Sequence, residues 1–161
     1  MRLLLVIPDQ TMRTKFQTLS PTSVDNSSPL LIVPWIEQQH VLTHPSIRIF
    51  IGHGGLHSVG EAVYAHIPMI IIPGLGDAPA RAAAIMEAKI GYAIERDALT
   101  AERLATYIKM ILADYDSIVS RLRRIHHIDE LEGGMQRAAT LIDNWLGNTG
   151  SITIIKKSPQ C

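Results

Sequence analysis

The stretch IRIFIGHGGLHSVGE, residues 47–61, decides the fold class. It predicts a buried strand, a glycine-rich turn and a helix in direct succession. Glycines let a backbone approach an anion closely, and the free amides at the start of the following helix supply donors and the positive end of a dipole. The stretch therefore suits phosphate binding, with His53 and Ser58 as possible additional donors. Taken alone, however, a Gly-Gly turn is more often a simple connection between elements.

The same alternation of strand and helix extends on both sides of this stretch. We predict strands at Arg2–Ile7, Leu30–Val33, Ile47–Ile51, Pro68–Ile72 and Gly91–Ile94. We predict helices at Glu37–Thr43, Ser58–Ala65, Ala78–Lys89 with Gly91 as terminator, from the N-cap Thr100 onward, at Asp116–Glu130 and at Met135–Leu146. The middle strands are apolar almost throughout, as is typical of parallel strands covered by helices on both faces. The fold class is therefore α/β, a parallel sheet with flanking helices.

Length and composition narrow the class of protein. With 161 residues we expect one domain, residues 1–147, followed by a tail at 148–161, and Thr18–Pro29 reads as an exposed loop. Basic and acidic side chains balance at 15 each, which argues against nucleic acid as a partner. The single cysteine, Cys161, excludes an internal disulfide. We find neither a signal peptide nor an apolar run of membrane-spanning length, so we expect a soluble, cytoplasmic chain.

Residues on either side of the glycine turn have the chemistry to hold a nucleotide sugar. Trp35 and Gln38 place an aromatic face beside an amide, a suitable seat for a base such as uracil. Glu61 lies three residues after Ser58, one helical turn on, where a carboxylate could accept ribose hydroxyls. Asp77 follows the strand at 68–72 and could accept hydroxyls of a sugar.

This ordered pattern resembles the C-terminal domain of the UDP-glycosyltransferase family. The positions that carry the resemblance are Trp35, Gln38, Leu42, His44, Phe50, His53, Gly55, Ser58, Glu61, Pro68, Pro73 and Asp77. The resemblance implies a Rossmann-like sheet, the donor-binding half of a GT-B glycosyltransferase. The donor-binding residues that it implies are Trp35 on uracil, Gln38 on the nucleoside, His53, Gly55, His57 and Ser58 around the diphosphate, Glu61 on ribose and Asp77 on the sugar.

Three residues depart from the family pattern. His57 stands where many members have asparagine, and His66 stands where glycine is usual. Ala78 replaces the glutamine that commonly follows the sugar-binding aspartate, so one of two expected sugar contacts is absent. The sugar that the site would take is therefore left open.

The resemblance also implies a function that this stretch of chain does not complete. Family members transfer a hexose from a UDP-sugar, a donor substrate and not a cofactor, to a hydroxyl of a small lipophilic acceptor. The acceptor half and its histidine base are not found here, so no catalytic residue is assigned. We expect dependence on an acceptor domain or partner chain, and an exposed apolar surface prone to self-association.

Two other interpretations, and a metal site at either of two histidine pairs, use the same residues. The chain could be a non-catalytic donor-binding subunit that needs a partner chain. It could be an α/β-hydrolase with Ser58 as nucleophile, but Leu56 stands where the nucleophile turn requires glycine. The histidine pairs at 40 and 44 and at 53 and 57 lack the glutamate of a zinc protease motif, so we expect no metal site.

Overall fold

The computed structural model describes residues 2–19 and 30–147. Its strands are β1 (Leu3–Val6), β2 (Leu30–Val33), β3 (Phe50–Gly52), β4 (Met69–Ile71) and β5 (Gly91–Ala93). Its helices are α1 (Gln10–Leu19), α2 (Gln38–Leu42), α3 (Leu56–Tyr64), α4 (Ala78–Glu87), α5 (Ala101–Ala113), α6 (Tyr115–Glu132) and α7 (Gly134–Gly147), with a 3-10 turn at Arg96–Ala98. The predicted α/β class is confirmed, and all five predicted strands are present. β2 has the predicted bounds, β1, β4 and β5 are shorter than predicted, and β3 starts three residues later and ends one residue later than predicted. The predicted tail, 148–161, lies outside the described residues.

The strands form two parallel sheets instead of the single sheet that the sequence predicts. β1 pairs with β2 from Leu3↔Leu30 to Val6↔Val33, and β4 lies between β3 and β5 in the second sheet. Before β3, residues 43–49 form turns and irregular backbone, and Phe50 is the first residue to pair. Ile47 and Ile49 therefore pack against the core without joining a ladder.

The hydrophobic core surrounds the central strand β4. Met69, Ile70 and Ile71 are fully buried there, as the continuous apolar sequence of this strand predicts. Helices cover the strand with Ile85 of α4, Ile111 of α5, and further buried residues of α3 and α6. The buried core thus supports β4 and its neighbour β3, whose carboxyl end carries the glycine turn. Among residues 2–19 and 30–147, no helix has the length and apolar character needed to cross a membrane.

Helix α1 is the element that the sequence reading missed. Asp9 precedes it and accepts a hydrogen bond from the Met12 amide at 2.7 Å, as an N-cap does. Arg13 ties the helix back to β1 by donating to the Ile7 and Pro8 carbonyls at 2.7 and 2.6 Å. The helix ends at Leu19, so the predicted loop at 18–29 overlaps its last turn, and the rest of that loop is outside the described residues.

The residue that terminates helix α4 differs from the one predicted. Lys89 adopts the left-handed conformation, with φ of 55°, and closes the helix after Ala88. Gly91 instead lies in β5, where a Cβ would meet the Met69 carbonyl oxygen at 2.2 Å. The glycine is thus required by the close approach of two strands and does not cap the helix. By contrast, the predicted N-cap Thr100 is confirmed, since its hydroxyl accepts from the Arg103 amide.

His66 occupies a backbone position that favours glycine. Its φ is 57°, in the left-handed region, which glycine adopts without the steric cost that a side chain brings. Its Nε2 lies 2.9 Å from Nδ1 of His126, so the side chain joins the end of α3 to α6. Burial lowers the pKa of His66, and the neighbouring positive charges of His126 and Arg123 lower it further against the opposing effect of Glu130.

Candidate functional site

The glycine turn lies at the carboxyl end of β3, where parallel α/β sheets bind their ligands. Gly54 has φ of 84°, and a Cβ on it would meet Ile71 Cγ2 at 3.0 Å, so both conformation and space require glycine. A Cβ on Gly55 would lie 2.9 Å from Nε2 of His53, which places the imidazole directly over this residue. The turn is therefore closely packed, and α3 begins at its end with the positive pole of its dipole.

Helices α2 and α3 bring three predicted site residues together. The side-chain amide of Gln38 donates to Ser58 Oγ at 3.0 Å and to Glu61 Oε2 at 2.6 Å. All three side chains are partly buried. The bond to the carboxylate is charge-assisted, so it fixes Glu61 more firmly than a neutral pair would. One amide thus links the residues predicted for the nucleoside, the phosphate and the ribose.

Trp35 borders a cleft beside this network. The cleft has a volume of about 380 Å³ and is lined by Val6, Trp35, Ile36, Glu37, Gln38, Gln39 and Glu61. The Trp35 side chain is 66% exposed, so most of its ring is available to a ligand. The sequence reading missed Val6, which reaches the cleft because β1 runs parallel to β2 and ends at the same edge. Two apolar runs that form neighbouring parallel strands indicate that the end of β1 lies beside the end of β2, and this would have placed Val6 near the cleft.

The two histidines of the turn have open surroundings. His53 and His57 are exposed, and no described residue forms a hydrogen bond or ion pair with either ring. His57 lies in the first turn of α3, next to Ser58. The structure therefore joins Gln38, Ser58 and Glu61 directly, stacks His53 on Gly55, and leaves His57 without a described polar contact. In the part of the chain that is described, no group of His, Cys, Asp and Glu residues has the arrangement of a metal site.

Asp77 begins α4 and is already paired. Its two carboxylate oxygens accept from Nη1 and Nη2 of Arg81, both at 2.6 Å. The Arg81 hydrogen bonds hold the pKa of the Asp77 carboxyl below its usual range, and Asp77 in turn raises the pKa of Arg81. The sequence reading missed Arg81, although a carboxylate four residues before a cation on a helix is a legible signal. The predicted role of Asp77 as a sugar ligand stays a prediction.

Known proteins match the part of the chain that contains these site residues. A family model described as UDP-glucoronosyl and UDP-glucosyl transferase matches residues 4–143. The chain belongs to the UDP-glycosyltransferase family. It is 36% identical over 141 residues to the human UDP-glucuronosyltransferase 3A2, a match that covers 84% of this chain and 26% of that protein. The family resemblance read from the sequence is confirmed, and the chain spans about a quarter of the length of this relative.

Solved glycosyltransferases share the fold. The crystal structure of the glycotransferase of kitacinnamycin superposes with a TM-score of 0.67 at 26% identity, over 75% of this chain and 32% of that one. An anthocyanidin 3-O-glucosyltransferase, solved in complex with UDP, superposes with a TM-score of 0.58 at 25% identity, over 75% of this chain and 26% of that one. Both matches confirm the predicted α/β glycosyltransferase architecture, and each covers no more than about a third of the matched chain.

Proposed function

We propose that residues 1–147 form a donor-binding domain that holds a UDP-sugar at the carboxyl ends of its strands. In a complete UDP-glycosyltransferase this domain would present a hexose for transfer to a hydroxyl of a small lipophilic acceptor. The observation that carries the proposal is the Gln38 amide, which joins Ser58 and Glu61 at the edge of an open cleft bordered by Trp35. Its volume, 380 Å³, falls within the range of about 300–1,000 Å³ that is usual for small-molecule sites.

Local geometry supports each proposed role. The exposed ring of Trp35 would stack on uracil, and Glu61, fixed by Gln38, would accept ribose hydroxyls. The diphosphate would lie at the glycine turn, where His53, Gly55, His57 and Ser58 surround the beginning of α3. The dipole of α3 would stabilise the charge that develops on the UDP leaving group.

The general base would come from an acceptor domain, within a longer protein or on a partner chain. Transfer to a neutral hydroxyl needs a positioned base and an oriented acceptor, and orientation alone supplies up to about 7–11 kcal/mol of barrier lowering. Large apolar side chains on α6 and α7 offer a surface for such a partner, since Leu131, Leu141 and Trp145 are 72%, 59% and 69% exposed. The same surface would support self-association of the isolated chain.

Hydrogen exchange with and without UDP tests the location of the site. We expect UDP to slow exchange of the amides at residues 54–58, because the phosphates would accept from them and shield the turn. A matched variant, Ser58→Ala, keeps the backbone but removes one ligand and should reduce the protection. Unchanged exchange at saturating UDP would refute the proposed site. We also expect no acceptor-dependent release of UDP from the 161-residue chain alone.

The chemistry of Ser58 separates transferase from hydrolase. Its hydroxyl accepts from the Gln38 amide, and no described histidine is hydrogen-bonded to it as a nucleophilic serine requires. A fluorophosphonate probe should therefore leave Ser58 unlabelled. Covalent labelling of Ser58 that Gln38→Leu leaves intact would establish a hydrolase and overturn the donor-binding role.

A further inference from the structure

The guanidinium of Arg81 bridges two parts of the candidate site. Its Nη1 and Nη2 donate to the two carboxylate oxygens of Asp77 at 2.6 Å, and its Nε donates to the Gly54 carbonyl at 2.5 Å. The Arg81 side chain is only 20% exposed, whereas that of Asp77 is 76% exposed. Three of the five N–H donors of this guanidinium are thus engaged between the start of α4 and the glycine turn.

The contact with Gly54 fixes the orientation of a peptide group at the phosphate end of the site. In a trans peptide the carbonyl and the following amide point in opposite directions. Holding the Gly54 carbonyl toward Arg81 therefore directs the Gly55 amide to the other side of the chain, at the beginning of α3. Glycine at φ of 84° has few steric restraints of its own, so the hydrogen bond from Arg81 adds a directional restraint to the packing around Gly54.

The contact with Arg81 reduces the capacity of the Asp77 carboxylate to accept hydrogen bonds from a sugar. Each of its oxygens already accepts one charge-assisted hydrogen bond, and its charge is balanced by the guanidinium. Each oxygen keeps a second acceptor site, but a sugar hydroxyl would bind there to a carboxylate whose charge the guanidinium already neutralises, and so more weakly than to a free carboxylate. Ala78, next in sequence, has no polar side-chain group to replace it.

We propose that Asp77 anchors Arg81 instead of binding the transferred sugar, and that Arg81 is a positioning residue for the glycine turn. The site would then recognise the UDP portion of its donor and discriminate little between sugars. This inference rests on the proposed function, and it concerns the specificity of that same site.

Calorimetric titrations with UDP and with UDP-glucose test the inference, because the ratio of the two dissociation constants isolates the sugar. For the wild type we expect a ratio close to unity. Arg81→Ala should weaken both ligands by about 2–10-fold through loss of the fixed amide, and should shift the ratio about 3–10-fold in favour of UDP-glucose, because Asp77 is released. The double variant Arg81→Ala with Asp77→Asn should lose that shift.

Arg81→Lys is the matched control, because a lysine keeps the charge beside Asp77 without bridging to Gly54. It should weaken the binding of UDP and of UDP-glucose equally and leave the ratio of their dissociation constants unchanged.

The inference is overturned if Asp77→Asn weakens the binding of UDP-glucose but not of UDP in the wild-type background, or if Arg81→Ala leaves the ratio unchanged. Amide exchange of Gly55 in the free protein is a ligand-independent readout that Arg81→Ala should accelerate, and unchanged exchange would also overturn it. If UDP does not bind the wild type at all, the proposed function fails, and the exchange measurement still decides whether Arg81 positions the turn.

Discussion

Replacing Gln38 by glutamate tests the network on which the site depends, with almost no change of shape. The substitution removes a charge-assisted hydrogen bond to Glu61, worth about 1.5–3 kcal/mol. It also places two carboxylates in contact, and two like charges 4 Å apart repel by about 1 kcal/mol in water and about 4 kcal/mol at an effective dielectric constant of 20. Because both side chains are only partly buried, we expect values near the lower ends, a total loss of about 2–4 kcal/mol at pH 7.5.

Urea unfolding followed by circular dichroism measures this loss. Gln39→Glu adds the same charge to the exposed side of the same helix and should change stability by less than about 0.5 kcal/mol. UDP affinity should fall in Gln38→Glu at neutral pH. Wild-type stability and unchanged UDP affinity in this variant at pH 7.5 would refute the network.

Three further predictions concern the scaffold, each measured by urea unfolding. Gly91→Ala should lower the free energy of unfolding by about 1–3 kcal/mol or more, since its Cβ would press on the Met69 carbonyl; an unchanged midpoint would contradict this. Lys89→Gly should raise it by roughly 1 kcal/mol by relieving a left-handed conformation, and a loss of stability would count against that explanation. Because burial lowers the pKa of His66, protonation favours the unfolded state, so the contribution of this residue is present above pH 6.5 and is lost as the pH falls through the folded pKa. His66→Asn, which tolerates the same backbone, should flatten the fall in stability between pH 7.5 and 5.5, and an unaltered pH profile would exclude His66 as its source.

The sequence was most informative where apolar pattern and glycine spacing agree. Residues 47–61 predict strand, turn and helix in the right order, because a buried parallel strand must be apolar throughout and the turn requires Gly54. The strand itself is shorter than the apolar run, since Ile47 and Ile49 are held by packing and not by a ladder. Apolar pattern reports burial, and it does not report which backbone groups pair.

Features that depend on polar contacts were harder to predict. Helix α1 has few apolar residues, and its start depends on a single cap at Asp9. The Gln38–Glu61 contact joins residues 23 positions apart; side-chain chemistry and the family resemblance predicted them in one site, but neither predicted that they bond to each other. Arg81 differs, because its spacing from Asp77 was visible, but its bond to Gly54 depends on how α4 packs against the turn. Sequence spacing can indicate a local ion pair, whereas the third partner of a forked donor is set by tertiary structure.

The central claim is that the cleft beside Trp35 binds a uridine nucleotide. Calorimetric titration of the chain with UDP and with ADP, in wild type and in Trp35→Ala, tests it most directly. We predict that UDP binds more tightly than ADP and that Trp35→Ala weakens UDP by about 1–3 kcal/mol, while the control Trp145→Ala, at an equally exposed tryptophan on α7, has no effect. Equal affinities for UDP and ADP, or an unchanged UDP affinity in Trp35→Ala, would contradict the account.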